Sequence, residues 1–157
     1  MVNIYIEISK GSNVKYEHDK ETNTLILDRI LHNTNIYPFN YGYIPNTLSP
    51  DGDPLDVILL CNASLIPGCI AKCKVIGGIH TEDENGIDEK ILMVLDEKLD
   101  ITSKNYNNIS DISETELENI KYFLNHYKDN ETNKFVKVGG TYNKETALQI
   151  IDKYTLK

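Results

Sequence analysis

Apolar residues in the first third of the chain recur with the two-residue period of half-buried strands. Val2-Asn3-Ile4-Tyr5-Ile6-Glu7-Ile8 alternates without a break. It predicts a strand with Val2, Ile4, Ile6 and Ile8 towards a core and Glu7 on the opposite side, beside Tyr5. Gly11-Ser12-Asn13 reads as a turn, and residues 14–18 alternate again, which sets Lys15 and Glu17 on one side. After a polar connection, residues 24–31 predict a strand on which Leu25, Leu27, Arg29 and Leu31 share a face. Arg29 is thereby a charge among apolar neighbours, a setting in which arginine usually answers an acid or a phosphate. Residues 32–50 follow no period and are rich in Asn, Pro and Tyr. A long ordered loop of this kind tends to carry function. Its tyrosines, Tyr37 and Tyr41 among them, read equally as packing or as hydroxyls turned to a ligand.

Strand signals resume at residues 55–61, at 70–79 with Gly77-Gly78 at the end, and at 91–95, where Lys90 opens the run. Asn85-Gly86 predicts a hairpin that folds an acidic stretch back on itself and brings Asp83 towards Asp88. The period then changes. Ser113-Glu114-Thr115-Glu116 is a capping box, with Ile112 and Leu117 spaced as a hydrophobic staple. Ile120, Phe123, Leu124 and Tyr127 mark one helical face ending near Lys128. Residues 135–138 read as a short extended piece, and Asn143 caps a last helix with Ala147, Leu148, Ile151 and Tyr154 inward. No linker or repeat divides residues 1–157. The expectation is one domain of mainly β, α+β class: short antiparallel strands in a small closed barrel, flanked by two helices.

Charge narrows the partners. Sixteen basic and 24 acidic residues give a net −8, which argues against nucleic acid or an anionic membrane surface. No apolar run is long enough to cross a bilayer and the first residues lack a signal-peptide pattern, so the cytoplasm is the expected compartment. Cys61, Cys69 and Cys73 are odd in number and lack zinc-ligand spacing.

The densest chemistry lies in Asp51-Gly52-Asp53-Pro54-Leu55-Asp56. In an extended backbone Asp51 and Asp53 fall on one side, and Asp56 begins an apolar strand that anchors the group. Crowded carboxylates call for a cation, and hard oxygen donors suit Mg²⁺, Mn²⁺ or Ca²⁺. A solvated turn is the plainer alternative, since Asp, Gly and Pro are turn formers. A calcium-sensor loop fails on position, because the sixth residue from Asp51 is Asp56 and the twelfth is Asn62. Two acidic loops together with isolated basic residues at Lys15, Arg29, Lys90 and Lys128 are the parts of metal-assisted phosphoryl transfer.

These residues resemble the soluble family I inorganic pyrophosphatases of the prokaryotic type. The resemblance rests on Asp51-Gly52-Asp53-Pro54-Leu55-Asp56-Val57, joined by Ile6-Glu7-Ile8, Lys15-Tyr16-Glu17, Asp28-Arg29 and Tyr37-Pro38. It extends through Asn40-Tyr41-Gly42-Tyr43-Ile44, the segment from Asp83 to Lys90, and His126-Tyr127-Lys128-Asp129, and so covers nearly the whole chain. Ser9, in place of a frequent Pro, and Phe135, in place of a frequent Trp, depart from the pattern without touching a proposed ligand.

The resemblance implies an OB-like barrel that hydrolyses pyrophosphate to two orthophosphates with several Mg²⁺ ions per site, Mn²⁺ or another divalent cation being alternatives. Asp51, Asp56 and Asp88 would hold the first metal, with Asp56 shared by a second. Asp83 and Asp88 would hold one that arrives with substrate, and Glu17 would approach a further one. Asp53 would be the general base towards a metal-activated water. Lys15, Arg29 and Tyr41 would grip one phosphate and Tyr127 and Lys128 the other, with Lys90 near the metals. Glu7, Tyr37 and Lys134 match supporting positions. A homohexamer is the assembly the short prokaryotic type implies. Another two-metal phosphotransferase, or a catalytically silent metal- or phosphate-binding barrel, are the rival functions.

Overall fold

In the computed structural model, which describes residues 1–157, the first strand closes the ring that organises the molecule. Strand β1 (Val2–Ile8) pairs antiparallel with β4 (Asn40–Ile44), which pairs antiparallel with β5 (Leu55–Leu59). β5 pairs with β8 (Lys90–Leu95), β8 with β6 (Ile70–Asp83), and β6 returns to β1 with Val2 opposite Cys73. The ring abolishes sheet edges, as expected for a small barrel. Not every pairing is antiparallel, however: β5 and β8 run parallel. A long crossover through β6 separates them, and parallel neighbours require such a connection.

Both faces of the ring are buried, which is why residues 57–60 and 91–95 read as unbroken apolar runs. Leu55, Val57, Leu59, Ile91 and Met93 join one core cluster with Ala147 of α2 (Lys144–Tyr154). The alternate positions Ile58, Leu92 and Val94 join a second with Phe123 and Leu124 of α1 (Glu114–His126). Both helices begin where their capping residues predict. Ser113 accepts from the Glu116 amide at 3.1 Å and Asn143 from the Thr146 amide at 3.0 Å. Leu148 departs from its expected inward position and is 43% exposed, while Ile150 packs against the core beside the expected Ile151 and Tyr154.

Two glycines let backbones meet. A Cβ on Gly42 would stand 1.9 Å from the Tyr5 carbonyl oxygen, and one on Gly78 would stand 2.2 Å from the Tyr142 ring. Close approach at Gly78 explains why β6 runs through Gly77-Gly78 to Asp83 instead of ending there. Beyond the ring, β6 also carries the short strand β7 (Gly86–Ile87) and β9 (Val136–Asn143). Two 3₁₀ turns, Ile101–Asn105 and Ile109–Asp111, lie in a stretch with no sequence-predicted element.

Strands β2 (Val14–Asp19) and β3 (Thr24–Ile30) form a separate hairpin sheet. Leu27 therefore does not share a core face with Arg29 and is 56% exposed. The reason is a bulge: Lys15 pairs Arg29 but Tyr16 pairs Leu27, which leaves Asp28 as the extra residue. A bulge re-aims side chains, and here Asp28 and Arg29 both turn to the same cleft. The hairpin is held to the ring by stacking of His18 on Tyr5, with ring centroids 4.0 Å apart. A contact of 2.5 Å between His18 Nδ1 and the Tyr43 hydroxyl adds to it.

Candidate active site

One cleft of about 410 Å³ lies between the hairpin, the ring and the end of α1. Its wall contains Glu7, Lys15, Glu17, Arg29, Tyr37, Tyr41, Asp51, Asp53 and Asp56, with Asp83, Asp88, Lys90, Tyr127, Lys128 and Lys134 completing it. Every residue singled out from the sequence thus lies on it. The elements explain the placement. Glu7 is the outward residue of alternating β1, Lys15 and Glu17 share a face of β2, and Asp56 and Lys90 stand opposite each other where β5 meets β8.

The aspartate loop reaches the cleft as a turn, not as the extended piece its spacing first suggests. Gly52 has φ +90°, a conformation other residues rarely adopt, and the Asp53 amide donates to Asp51 Oδ1 at 3.0 Å. The second acidic loop is likewise shifted. Asp83 pairs with Gly86, so Glu84-Asn85 form the hairpin tip in place of Asn85-Gly86. The Asn85 amide donates to Asp83 Oδ1 at 2.8 Å.

The two loops converge. One carboxylate oxygen each from Asp51, Asp83 and Asp88 lie within 4.8 Å of one another. Burial raises the Asp51 carboxyl above its usual range, and Asp88 adds to the rise. Burial also pushes Asp88 up to about 6, with Asp56 adding and Lys90 opposing. Three hard oxygen donors gathered this closely suit a divalent cation. Asp56 stands beside the trio, its Oδ2 2.7 Å from the Lys90 ammonium.

Lys90 is 2% exposed and also donates to Asp88 Oδ2 at 2.6 Å and to the Tyr41 hydroxyl at 2.6 Å. Burial works against its charge, but Asp56, Tyr41 and Asp88 outweigh burial and hold its pKa above the ordinary lysine value. Burial keeps the Tyr41 hydroxyl protonated, so it remains a donor.

Three other cations of the cleft are each paired with a carboxylate. Lys15 lies 3.3 Å and Arg29 3.2 Å from Asp28 Oδ2, and Arg29 also donates to Glu131. Lys128 lies 3.5 Å from both Asp83 and Glu84. Tyr127 caps α1 and stacks on Phe123, with centroids 5.2 Å apart, so it both packs and borders the cleft. Glu7 accepts from the His18 amide at 2.8 Å. Burial, partly offset by that bond, raises its carboxyl to about 7.

Sequence reasoning left out Asp28, Glu84 and Glu131, which pair with these cations. Asp28 adjoins Arg29 and Glu84 lies in the acidic hairpin, so each had a local signal. Glu131 had none, because it meets Arg29 across 102 positions of chain.

The comparisons agree with this geometry. A family model described as inorganic pyrophosphatase matches residues 4–157. An inorganic pyrophosphatase of Helicobacter pylori (strain J99) is 45% identical over 150 residues, 96% of this chain and 87% of the relative. One of Saccharolobus solfataricus is 46% identical over 139 residues, 88% of this chain and 81% of the relative. The solved structure of a Helicobacter pylori inorganic pyrophosphatase superposes with a TM-score of 0.96 at 44% identity, covering 98% of this chain and 90% of that one. Shared fold and matched sequence from residue 4 to the C-terminus place this chain in the inorganic pyrophosphatase family, whose reaction is the hydrolysis of inorganic pyrophosphate.

Proposed function

We propose that the chain hydrolyses inorganic pyrophosphate to two orthophosphates with Mg²⁺ as its metal and Asp53 as general base. The observation that carries this reading is the meeting of Asp51 with Asp83 and Asp88, from loops about thirty residues apart, in a cleft that also holds lysine and arginine. Asp51, Asp56, Asp83 and Asp88 would hold Mg²⁺, with Glu17 reaching a further ion. Divalent cations bound there acidify water and neutralise charge on the leaving phosphate. Asp53, on the exposed rim of the turn, accepts the proton of the attacking water. Lys15, Arg29 and the Tyr41 hydroxyl grip one phosphate, and Tyr127 and Lys128 grip the other. Lys90 orients Asp56 and Asp88 by donating to both. Glu7, Tyr37 and Lys134 support the wall.

The chain would act as a single catalytic domain in the cytoplasm. No helix is long and apolar enough to cross a membrane. Six copies would assemble into a homohexamer, and a sedimentation mass six times the 17.9 kDa chain is its check.

Phosphate release from pyrophosphate and from ATP, with and without Mg²⁺, tests the reaction. Rapid Mg²⁺-dependent release from pyrophosphate alone is the expected result. Preference for ATP would point to a nucleotide-directed phosphotransferase, and no release from either substrate to a silent barrel.

A further inference from the structure

Glu89 is a carboxylate that this chemistry does not use, and it is only 7% exposed. It stands between Asp88 and Lys90, which both line the cleft, and its own side chain leaves on the opposite face. There the His80 Nδ1–H lies 2.8 and 2.9 Å from its two oxygens, and the Tyr142 hydroxyl donates to Oε1 at 3.4 Å. The His80 ring packs on the Tyr142 ring, centroids 4.5 Å apart.

Strand β6 faces this segment step for step. Ile79 pairs with Lys90, the Asp88 amide donates to the Thr81 carbonyl at 2.9 Å, and His80 falls between them, opposite Glu89. Residues 88 and 89 belong to neither β7 nor β8. Backbone bonds hold the step at its ends, the Thr81 hydroxyl donates to the Asp88 carbonyl, and the Glu89 side chain ties the middle to His80 and Tyr142. A buried carboxylate is costly to leave without partners, so His80 and Tyr142 fix the direction in which it points. Losing those partners would free the short backbone link between Asp88 and Lys90, and with it the aim of both side chains.

We propose that Glu89, clamped by His80 and Tyr142 on the side of its strand turned away from the cleft, is a positioning residue that sets the orientation of Asp88 and Lys90. The inference rests on the reading of Asp88 as a metal ligand. Calorimetric Mg²⁺ titration of the substrate-free protein tests it, with kcat and KM for pyrophosphate measured alongside. Glu89→Ala and His80→Ala should each weaken Mg²⁺ binding by about tenfold, the scale on which residues that orient metal ligands act. His80 is half exposed, so His80→Ala leaves the core intact. Glu89→Gln keeps an oxygen at the Oε1 position to accept from both His80 and Tyr142, and should stay close to the wild type in Mg²⁺ binding and in kcat. Wild-type Mg²⁺ affinity in Glu89→Ala and His80→Ala would overturn the inference. So would a Glu89→Gln loss equal to that of Glu89→Ala, since charge and not orientation would then be at work. Asp88→Asn separates the two layers. If it binds Mg²⁺ like the wild type, the ligand reading itself fails, and the inference with it. If it loses Mg²⁺ while Glu89→Ala does not, the positioning role alone fails.

Discussion

Asp53 and Glu7 show how one cleft gives carboxylates different surroundings. Asp53 sits on the exposed rim of a turn that its own amide closes onto Asp51, so it faces the cleft without being buried by it. Asp53→Asn should lower kcat by about 10²- to 10⁴-fold, the usual contribution of a general base, with thermal unfolding unchanged. Retained turnover in steady-state assays would remove Asp53 from that role. Glu7, by contrast, is buried enough that its folded-state pKa is about 7 against an ordinary 4.5. Between those values the folded chain binds this proton more tightly than the unfolded chain. Its contribution to stability is therefore complete below about pH 4.5 and is lost as pH rises through 7. Glu7→Gln keeps the acceptor for the His18 amide and removes the titration. In metal-free thermal melts it should match the wild type at pH 4 and exceed it at pH 8. Parallel melting curves at both pH values would show that burial does not perturb Glu7.

At the scale of elements, what the sequence announces is local and what it hides is long-range. Caps and alternation are local, so β1, α1 and α2 are legible to within a residue or two at the ends. Ser113→Ala should cost about 1 kcal/mol in urea unfolding, the usual worth of a cap. A loss indistinguishable from zero would mean that packing of Phe123 and Leu124 alone fixes the start of α1. The bulge at Asp28 was not legible, because one extra residue in β3 leaves the apolar pattern ambiguous about faces. Nor was the passage of β6 through Gly77-Gly78, since a glycine pair reads as a break until Tyr142 is known to lie against it. The site was legible where its residues are crowded in sequence, as in both acidic loops. It was not at Glu131, whose partner Arg29 is set by the fold.

For the whole molecule, the ring is what turns separate loops into one site. β5 and β8 run parallel and side by side, so the loops at their starts, which carry Asp51 and Asp88, open at the same end of the barrel. Parallel pairing here is thus the topological cause of the acidic trio, and the antiparallel hairpin from β6 brings Asp83 to it. The hairpin of β2 and β3, stacked on the ring through His18 and Tyr5, supplies Lys15 and Arg29 to the same cleft. The most direct test of this convergence is a crystal of the protein soaked in Mn²⁺, with an anomalous difference map. A peak shared by carboxylate oxygens of Asp51, Asp83 and Asp88 is the predicted result. A map in which Mn²⁺ contacts only one of the two loops, or neither, would contradict it.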